Sequence, residues 1–367
     1  MERDIRTLIA FSMVKNINSS LANNLLDRIG DEKVFFSLSD EELAAIGRIP
    51  KQVISNEYRR ELLNKAATEE RFIIANNIET LYFTESTYPS RLINCEDAPV
   101  MLYRLGDTDL ESRHIISIVG TRHATPHGIE TTNRIVKDLA QKLDNLVIIS
   151  GLAYGIDVAA HKAALENNIP TVAVSAVPLN SIYPADHRGI AVNILKAGGS
   201  IITEYSTSHD VHRANFLARN RIIAGLADVT IVVESDVKGG SLVTASLAME
   251  YNREVFAVPG RLTDKYSGGT NRMIASHHAR IYVDADDLIN EMGWESKESE
   301  GDQKEFALEL TPVETQIHEY LMAHPASKAN DIMLATGIPI GQLKDLLFTM
   351  EMKDLVMSMA GGKYSAL

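Results

Sequence analysis

The chain has 367 residues, 36 Lys and Arg against 49 Asp and Glu, and a formal net charge of −13. That balance excludes a globally basic wrapper of nucleic acid, so any polyanion has to be met by a local groove. At roughly 150 residues per domain the length predicts two to three domains, and 45% hydrophobic residues exclude a wholly disordered chain.

The amino terminus, MERDIRTLIAF, is charged where a secretory signal needs a long apolar run. No later run reaches the ~18 apolar residues of a membrane helix, so a cytoplasmic protein without membrane contact is expected. Residues 1–70 read as all-helical, because LANNLLDRIG and SDEELAAIG each stop at a glycine, Gly30 and Gly47, where helix C-termini favour one. Such a pair fits a helix-hairpin-helix or SAM-like bundle. Hairpins of this kind touch DNA phosphate in other proteins, yet the same spacing serves plain packing, and packing is the expectation here. The single Cys95 excludes an internal disulfide and a cysteine-cluster metal site, in keeping with a reducing compartment.

Residues 71–292 alternate apolar runs with helical patterns. The runs are HIISIVG (114–120), NLVIISG (145–151), TVAVSAV (171–177), SIITEY (200–205), DVTIVVE (228–234) and EVFAVPG (254–260), with a short RIYVDA (280–285) closing the series. Continuous apolar strands are covered on both faces. Between them lie helical patterns at 128–143, 156–166, 191–196 and 242–251. Strand and helix in alternation predict an α/β fold, an extended Rossmann-like doubly wound parallel sheet.

Ligands of such sheets bind beyond strand carboxyl ends, and three ends here run into unusual sequence. In IVGTRHATPHG (118–128), Gly120 permits a tight turn, Thr121 offers a hydroxyl and Arg122 a guanidinium, a set suited to a phosphate oxygen. Arg122 in an ion pair that supports the turn is the competing role. In ISGLAYGIDVAAHKAAL (149–165), the loop Ser150, Gly151, Leu152, Ala153, Tyr154 and Gly155 precedes a helix and suggests a nest of backbone donors for an anion. Asp157 reads as a structural cap, because an acidic side chain there repels phosphate, and His161 as a packed structural residue. In VKGGSLVTASLAMEYNREVFAVPG (237–260), Gly239, Gly240 and Ser241 supply flexible backbone and an N-cap at a strand-to-helix junction. Arg219 and Arg221 flank Asn220; on a helix they point roughly 200° apart, so one faces a pocket while the other supports it, against Glu204 or Glu234.

No serine–histidine–aspartate elbow, zinc spacing, Walker lysine or close carboxylate pair occurs. Backbone anion sites with arginines and no catalyst describe a binding protein, with no cofactor and no metal. The competing class is a nucleotide phosphoribohydrolase of the lysine-decarboxylase-like type, whose PGGxGTxxE motif is only partly matched by Gly239, Gly240, Thr244 and Glu250 at altered spacing.

A charged stretch at 293–306 reads as a solvated linker. Residues 307–367 carry helical patterns at 312–322, 329–335 and 340–352, then a strand pair turning at Gly361 and Gly362, a winged-helix layout. Its third helix, IGQLKDLLFTMEMKD, carries two Lys against two Asp and a Glu, which favours protein docking over groove reading. A regulator binding duplex DNA through this module is the competing reading. Partitioned, the charge is −5 over residues 1–110 (13 basic, 18 acidic), −2 over 111–292 (17 and 19) and −6 over 293–367 (6 and 12). A polyanion therefore belongs to the middle.

YPSRLINCEDAPVMLYRLG (88–106), IVGTR (118–122), SGLAYGIDVAAH (150–161), NFLARNRIIAGLAD (215–228), GGSLVTASLAMEYNREVFAVPG (239–260) and GGTNRMI (268–274) resemble the DNA-processing protein A family, DprA or Smf. The likeness covers nearly the whole chain. It implies single-stranded DNA binding by the Rossmann-like domain, homodimers, protection of incoming strands in natural transformation, and loading of RecA recombinase without catalysis. It maps the DNA pocket to Gly120–Arg122, the Ser150–Asp157 loop, Arg219, Arg221 and Gly239–Ser241. The chain departs from the family in lacking a basic residue at Tyr154 and around Tyr183–His187; Tyr154 offers a stacking ring instead. His277 and His278 replace a usual small-residue ending and read as surface residues.

Overall fold

A computed structural model describes residues 4–297 except Arg48, and 311–366 except Asp354 and Ala360. The chain forms two compact units, residues 1–297 and 298–367. Most of the expected linker lies outside the described residues.

The first unit opens with six helices: α1 (Ile5–Ser12), α2 (Ser19–Ile29), α3 (Glu32–Ser37), α4 (Asp40–Ile46), α5 (Lys51–Ile54) and α6 (Asn56–Ala75). Gly30 and Gly47 do end α2 and α4, and Ser39 with Glu42 closes a capping box at the start of α4, satisfying amides that the first turn leaves unpaired. An antiparallel pair not expected from the apolar runs follows, β1 (Glu79–Tyr82) and β2 (Met101–Gly106), with the single-turn α7 (Ser90–Ile93) between them.

The expected strands then appear as β3 (His114–Val119), β4 (Leu146–Ser150), β5 (Thr171–Val174), β6 (Ser200–Thr203), β7 (Val229–Val232), β8 (Glu254–Ala257) and β9 (Arg280–Ile281). Their order in one nine-stranded sheet is β1-β2-β6-β5-β4-β3-β7-β8-β9. β2 runs antiparallel to β6, and every pair from β6 to β9 is parallel. Connections therefore run outward from β3 in one direction and then return to its other side, which places the topological switch point between β3 and β7.

Helices cross on both faces: α8 (Pro126–Lys142), α9 (Ile156–Glu166), α10 (Arg188–Lys196), α11 (Arg213–Ala218), α12 (Asn220–Leu226), α13 (Gly240–Glu250), α14 (Gly268–Ala275) and α15 (Ala285–Glu291). Strand alternation sorts the side chains. Ile116, Ile118 and Ile148 join Leu139, Ile156 and Leu288 in one core, while Ile115, Val147 and Ile149 join Ile222, Leu81 and Phe35 in the other. The amino-terminal helices thus share a continuous core with the sheet. Long apolar strands were the signal for two-sided burial, and both faces are dry.

The second unit holds α16 (Pro312–Ala323), α17 (Ala329–Thr336) and α18 (Ile340–Met352). A three-stranded antiparallel sheet completes it, in the order β10 (Ser327–Lys328), β12 (Lys363–Ala366), β11 (Val356–Met359). Gly361 and Gly362 turn β11 into β12 with φ of 85° and 69°. Ile317, Leu321, Leu343 and Leu347 form its own core. Among the described residues no helix is long and apolar enough to cross a membrane.

Candidate functional site

The carboxyl ends of β3, β4 and β7 meet the α11–α12 crossover around an open cavity of about 360 Å³. Gly120, Thr121 and Arg122 border it from β3, Ala153 from β4, Arg219 and Asn220 from the crossover, and Gly239, Gly240 and Ser241 from β7. Residues far apart in sequence, from Val119 to Tyr266, meet there because the sheet reverses its winding between β3 and β7.

Arg122 is exposed, and its guanidinium carbon lies 5.6 Å from the centre of the Phe216 ring. Among the described residues it makes no ion pair, so the supporting role considered for it is not the one seen. The turn beneath it is internally satisfied. Thr121 donates its amide to the Glu234 carbonyl at 2.7 Å, and its carbonyl accepts from the Ile156 amide at 3.2 Å. Its hydroxyl accepts the His123 amide at 3.2 Å. Gly120 lets α9 close in, since a Cβ there would sit 2.4 Å from the Ile156 side chain.

The β4 loop differs from the open nest expected. Ser150 is fully buried and donates its hydroxyl to the Ile118 carbonyl at 2.6 Å. The Leu152 side chain is in the core, and its carbonyl accepts from Nδ1 of the buried His187 at 2.7 Å. The amides of Gly151 and Ala153 point at the chain's own Asp157 carboxylate, which fills the place of an external anion. Asp157 does not have the capping role read for it: Gly155 holds the N-cap position of α9 without a side-chain bond, and the carboxylate faces the preceding loop instead. Burial pushes the Asp157 carboxyl above its usual range, and the charge of Arg219 opposes that rise. Gly155 has φ of 78°, and a Cβ on it would come within 2.1 Å of the Thr121 carbonyl, so only glycine fits.

Arg219 is only 3% exposed. It donates from Nη1 to the Gly151 carbonyl at 2.6 Å and to the Val174 carbonyl, and from Nε to the Asn220 side-chain oxygen at 3.3 Å. The guanidinium thus ties the ends of β4 and β5 together under the cavity. Burial pushes its pKa down to about 10. Arg221 faces away from the cavity and pairs with Glu204. α11 and α12 meet at Arg219 itself, and the two arginines do diverge as helix geometry requires. Both carry structural contacts, and Asn220 is buried between them.

On the third side the expected serine cap is corrected. Gly239 occupies the N-cap position of α13 with no side-chain cap, while Ser241 is buried and donates its hydroxyl to the Ser235 hydroxyl at 2.9 Å. The first turn of α13 thus faces the cavity without a side chain on its amides, the polarity that attracts an anion. His161 is fully buried; its Nδ1 meets the Thr171 hydroxyl at 2.7 Å, not Asp157. Burial, with the charge of Arg219 adding, holds its pKa down at about 3, so it is neutral. His277 and His278 are exposed.

Phe216, Lys265 and Tyr266 carried no sequence signal, whereas Tyr154 is the stacking ring that the sequence offered. Phe216 lies three positions before Arg219, one turn away, and its ring meets that of Tyr183 edge-on at 4.9 Å. Tyr266 stacks on His123 at 6.4 Å and receives the Lys265 ammonium 5.3 Å above its ring. Tyr154, 43% exposed, donates its hydroxyl to Asp186 at 2.8 Å and packs edge-on against His187. Exposed cations interleaved with rings suit a flexible polyanion with flat bases. Among the described residues no group of three His, Cys, Asp or Glu side chains could hold a metal ion.

Residues 79–293 match the family described as DNA recombination-mediator protein A. DNA processing protein DprA of Streptococcus pneumoniae is 36% identical over 207 residues, 56% of this chain and 72% of that protein. The Bacillus subtilis protein of the same name is 37% identical over 216 residues, 59% and 71% of the two chains. In three dimensions the X-ray structure of the S. pneumoniae protein is similar with a TM-score of 0.65 at 29% identity, covering 79% of this chain and 99% of that one. DNA processing protein A of Helicobacter pylori, whose structure addresses its single-stranded DNA binding mode, gives a TM-score of 0.52 at 32% identity, over 59% and 95%.

Proposed function

The chain belongs to the DNA recombination-mediator protein A family, and we propose that it binds single-stranded DNA across the β3–β7 switch point. On this reading it protects incoming strands in natural transformation and, as a homodimer, helps load RecA onto them, without catalysing a reaction. One observation carries the DNA reading: Arg122 stands exposed over Phe216 beside the uncapped start of α13, with Tyr266 on the same rim and Tyr183 edge-on to Phe216. The likeness to the H. pylori protein supports the same ligand. The contacts we assign to the strand are Thr121, Arg122, Ala153, Tyr154, Gly239 and Gly240, with Lys265, Phe216 and Tyr266 beside them. Ser150, Gly151, Leu152, Gly155, Arg219, Asn220, Arg221 and Ser241 shape the site from beneath or behind.

Glu250 argues against a phosphoribohydrolase. It sits at the far end of α13, about 15 Å of helical rise from Gly240, while Gly239, Gly240 and Thr244 border the cavity. A second reading concerns residues 307–367, which we take as a winged helix used for protein docking: α18 presents Asp345 and a 66%-exposed Phe348 beside Lys344, not a set of base-reading donors. Residues 1–70 serve as a packing module on the sheet in this scheme.

Backbone donors and few cations predict sequence-tolerant binding with a modest salt dependence. Two or three phosphate contacts give a slope of about −1.4 to −2.1 in log affinity against log salt. Fluorescence anisotropy of an unstructured oligonucleotide across a salt series is the test, with a duplex alongside. Arg122→Ala should weaken single-strand binding about tenfold and flatten the slope by about 0.7 with the fold intact. Unchanged affinity in the folded variant would remove the cavity as the DNA site. Light scattering with and without RecA tests the two partner assignments.

A further inference from the structure

A second cavity, of about 680 Å³, lies beyond the carboxyl ends of β7 and β8, against the start of α8. Lys265 and Tyr266 border both this cavity and the one at the switch point, so they form the ridge between the two. Arg261 and His127 line the new cavity; both are exposed, and among the described residues neither makes an ion pair.

The loop that carries Arg261 and Lys265 is fastened at both ends. The Asn271 side chain donates to the Gly260 carbonyl at 2.9 Å and accepts the Gly260 amide at 3.1 Å. At the other end the Tyr266 carbonyl accepts the Ser235 amide at 2.6 Å, and the Gly269 amide donates to the Ser235 carbonyl at 2.8 Å. The cations thus stand on a rim tied to the end of β7, which lowers the ordering cost of binding.

Acids near the cavity leave these cations available. Both oxygens of the buried Glu234 accept from Thr125, one from its hydroxyl at 2.5 Å and one from its amide at 2.9 Å. Asp236 lies 3.7 Å from Nζ of Lys265, with side chains 37% and 69% exposed, a pair that contributes little and can be exchanged for a phosphate. Asp264 is exposed, where water and salt screen it.

A cation over a ring occurs twice along this path. Arg122 stands over Phe216 at 5.6 Å and Lys265 over Tyr266 at 5.3 Å, and Arg261 follows in the second cavity. Charge and flat ring in repetition match a strand, whose phosphates and bases repeat, better than a single small ligand.

We propose that a single strand bound at the switch point runs on over Tyr266 into the second cavity, with one base on that ring and a further phosphate on Arg261. This rests on the strand-binding reading and adds the path that the strand takes. The full chain should be titrated by fluorescence anisotropy with two labelled thymidine oligonucleotides, of about 4 and about 16 residues, the range that single-strand grooves span. Arg261→Ala should weaken the longer strand at least about threefold and reduce its salt slope by about 0.7, the share of one phosphate, while the shorter strand binds as it does to the parent. Arg122→Ala should weaken both. Arg261 is exposed, so its replacement does not endanger the fold, which melting checks. The path is overturned, with the switch-point reading standing, if Arg261→Ala binds the longer strand like the parent. It is equally overturned if that variant loses the same factor at both lengths, the mark of a general field and not of a contact further along the strand. If Arg122→Ala leaves both lengths unchanged, the switch-point reading fails and the path falls with it.

Discussion

Replacing Arg219 by methionine should damage the fold before it affects any ligand. The guanidinium supplies bonds to the Gly151 and Val174 carbonyls, and a thioether leaves both buried acceptors unmatched at about 1–3 kcal/mol each. Part of that loss is offset, because burying the guanidinium is itself unfavourable, as its pKa of about 10 reflects. A net destabilisation of about 2–4 kcal/mol is expected, a large share of the 5–15 kcal/mol typical of a domain. The chain's one tryptophan, Trp294, packs on His114 at 4.6 Å within the first unit, so urea unfolding followed by its fluorescence reads the right unit.

The pH dependence of that variant carries a second signature. Asp157 has a raised carboxyl pKa in the folded chain, which therefore holds the proton more tightly than the unfolded chain does. Its contribution to stability grows as pH falls through the raised value and is complete below the ordinary 3.8. Removing Arg219 deletes the largest opposing cause and moves the carboxyl further up. The deficit of Arg219→Met should therefore shrink as the solution is acidified, and Asp157→Asn in the same background should recover part of it. A deficit under about 1 kcal/mol, or one that does not change with pH, would refute the brace.

Tyr154→Ala and Phe216→Ala should each weaken binding of a homopolymer strand by about 1–3 kcal/mol if their rings stack on bases. Tyr154→Phe, which loses only the bond to Asp186, should stay near the parent in the same anisotropy assay. Gly155→Ala forces a side chain into a left-handed backbone and against the Thr121 carbonyl, so a loss of at least about 1–3 kcal/mol should appear in the Trp294 signal. Glu314 accepts from Lys353 at 2.8 Å and closes a capping box with Thr311. Its carboxyl is thereby pulled down to about 2 from 4.5, the lysine bond being the largest cause. That stabilisation is present above pH 4.5 and lost as pH falls towards 2. The protection of the α16 amides against hydrogen exchange, taken relative to their intrinsic rates at each pH, should fall across that window, and Glu314→Gln should abolish that fall.

Periodicity and punctuation along the chain determined the elements and their class. The apolar runs that become β3 to β8 read as strands because nothing but two-sided burial explains six uninterrupted hydrophobic stretches. Helices such as α9 and α18 were legible to the residue, and Gly30, Gly47, Gly361 and Gly362 marked stops and a turn that only glycine tolerates well. The β1–β2 pair escaped because its short, mixed segments lack both patterns. The neighbourhood of the switch point was legible too, since strand ends with glycine and arginine point to it.

Which of those residues face outward was settled only by tertiary structure. A loop of small residues before a helix looks like an open anion nest in one dimension; folded, Asp157 turns back and takes its amides. Two arginines either side of Asn220 look equivalent until the crossover buries each against different partners. Tyr266 and Lys265, from beyond β8, reach the same rim as Phe216 only because the sheet reverses its winding at β3. Local sequence encodes backbone preference and periodicity, whereas exposure depends on what the rest of the chain places in front of a side chain.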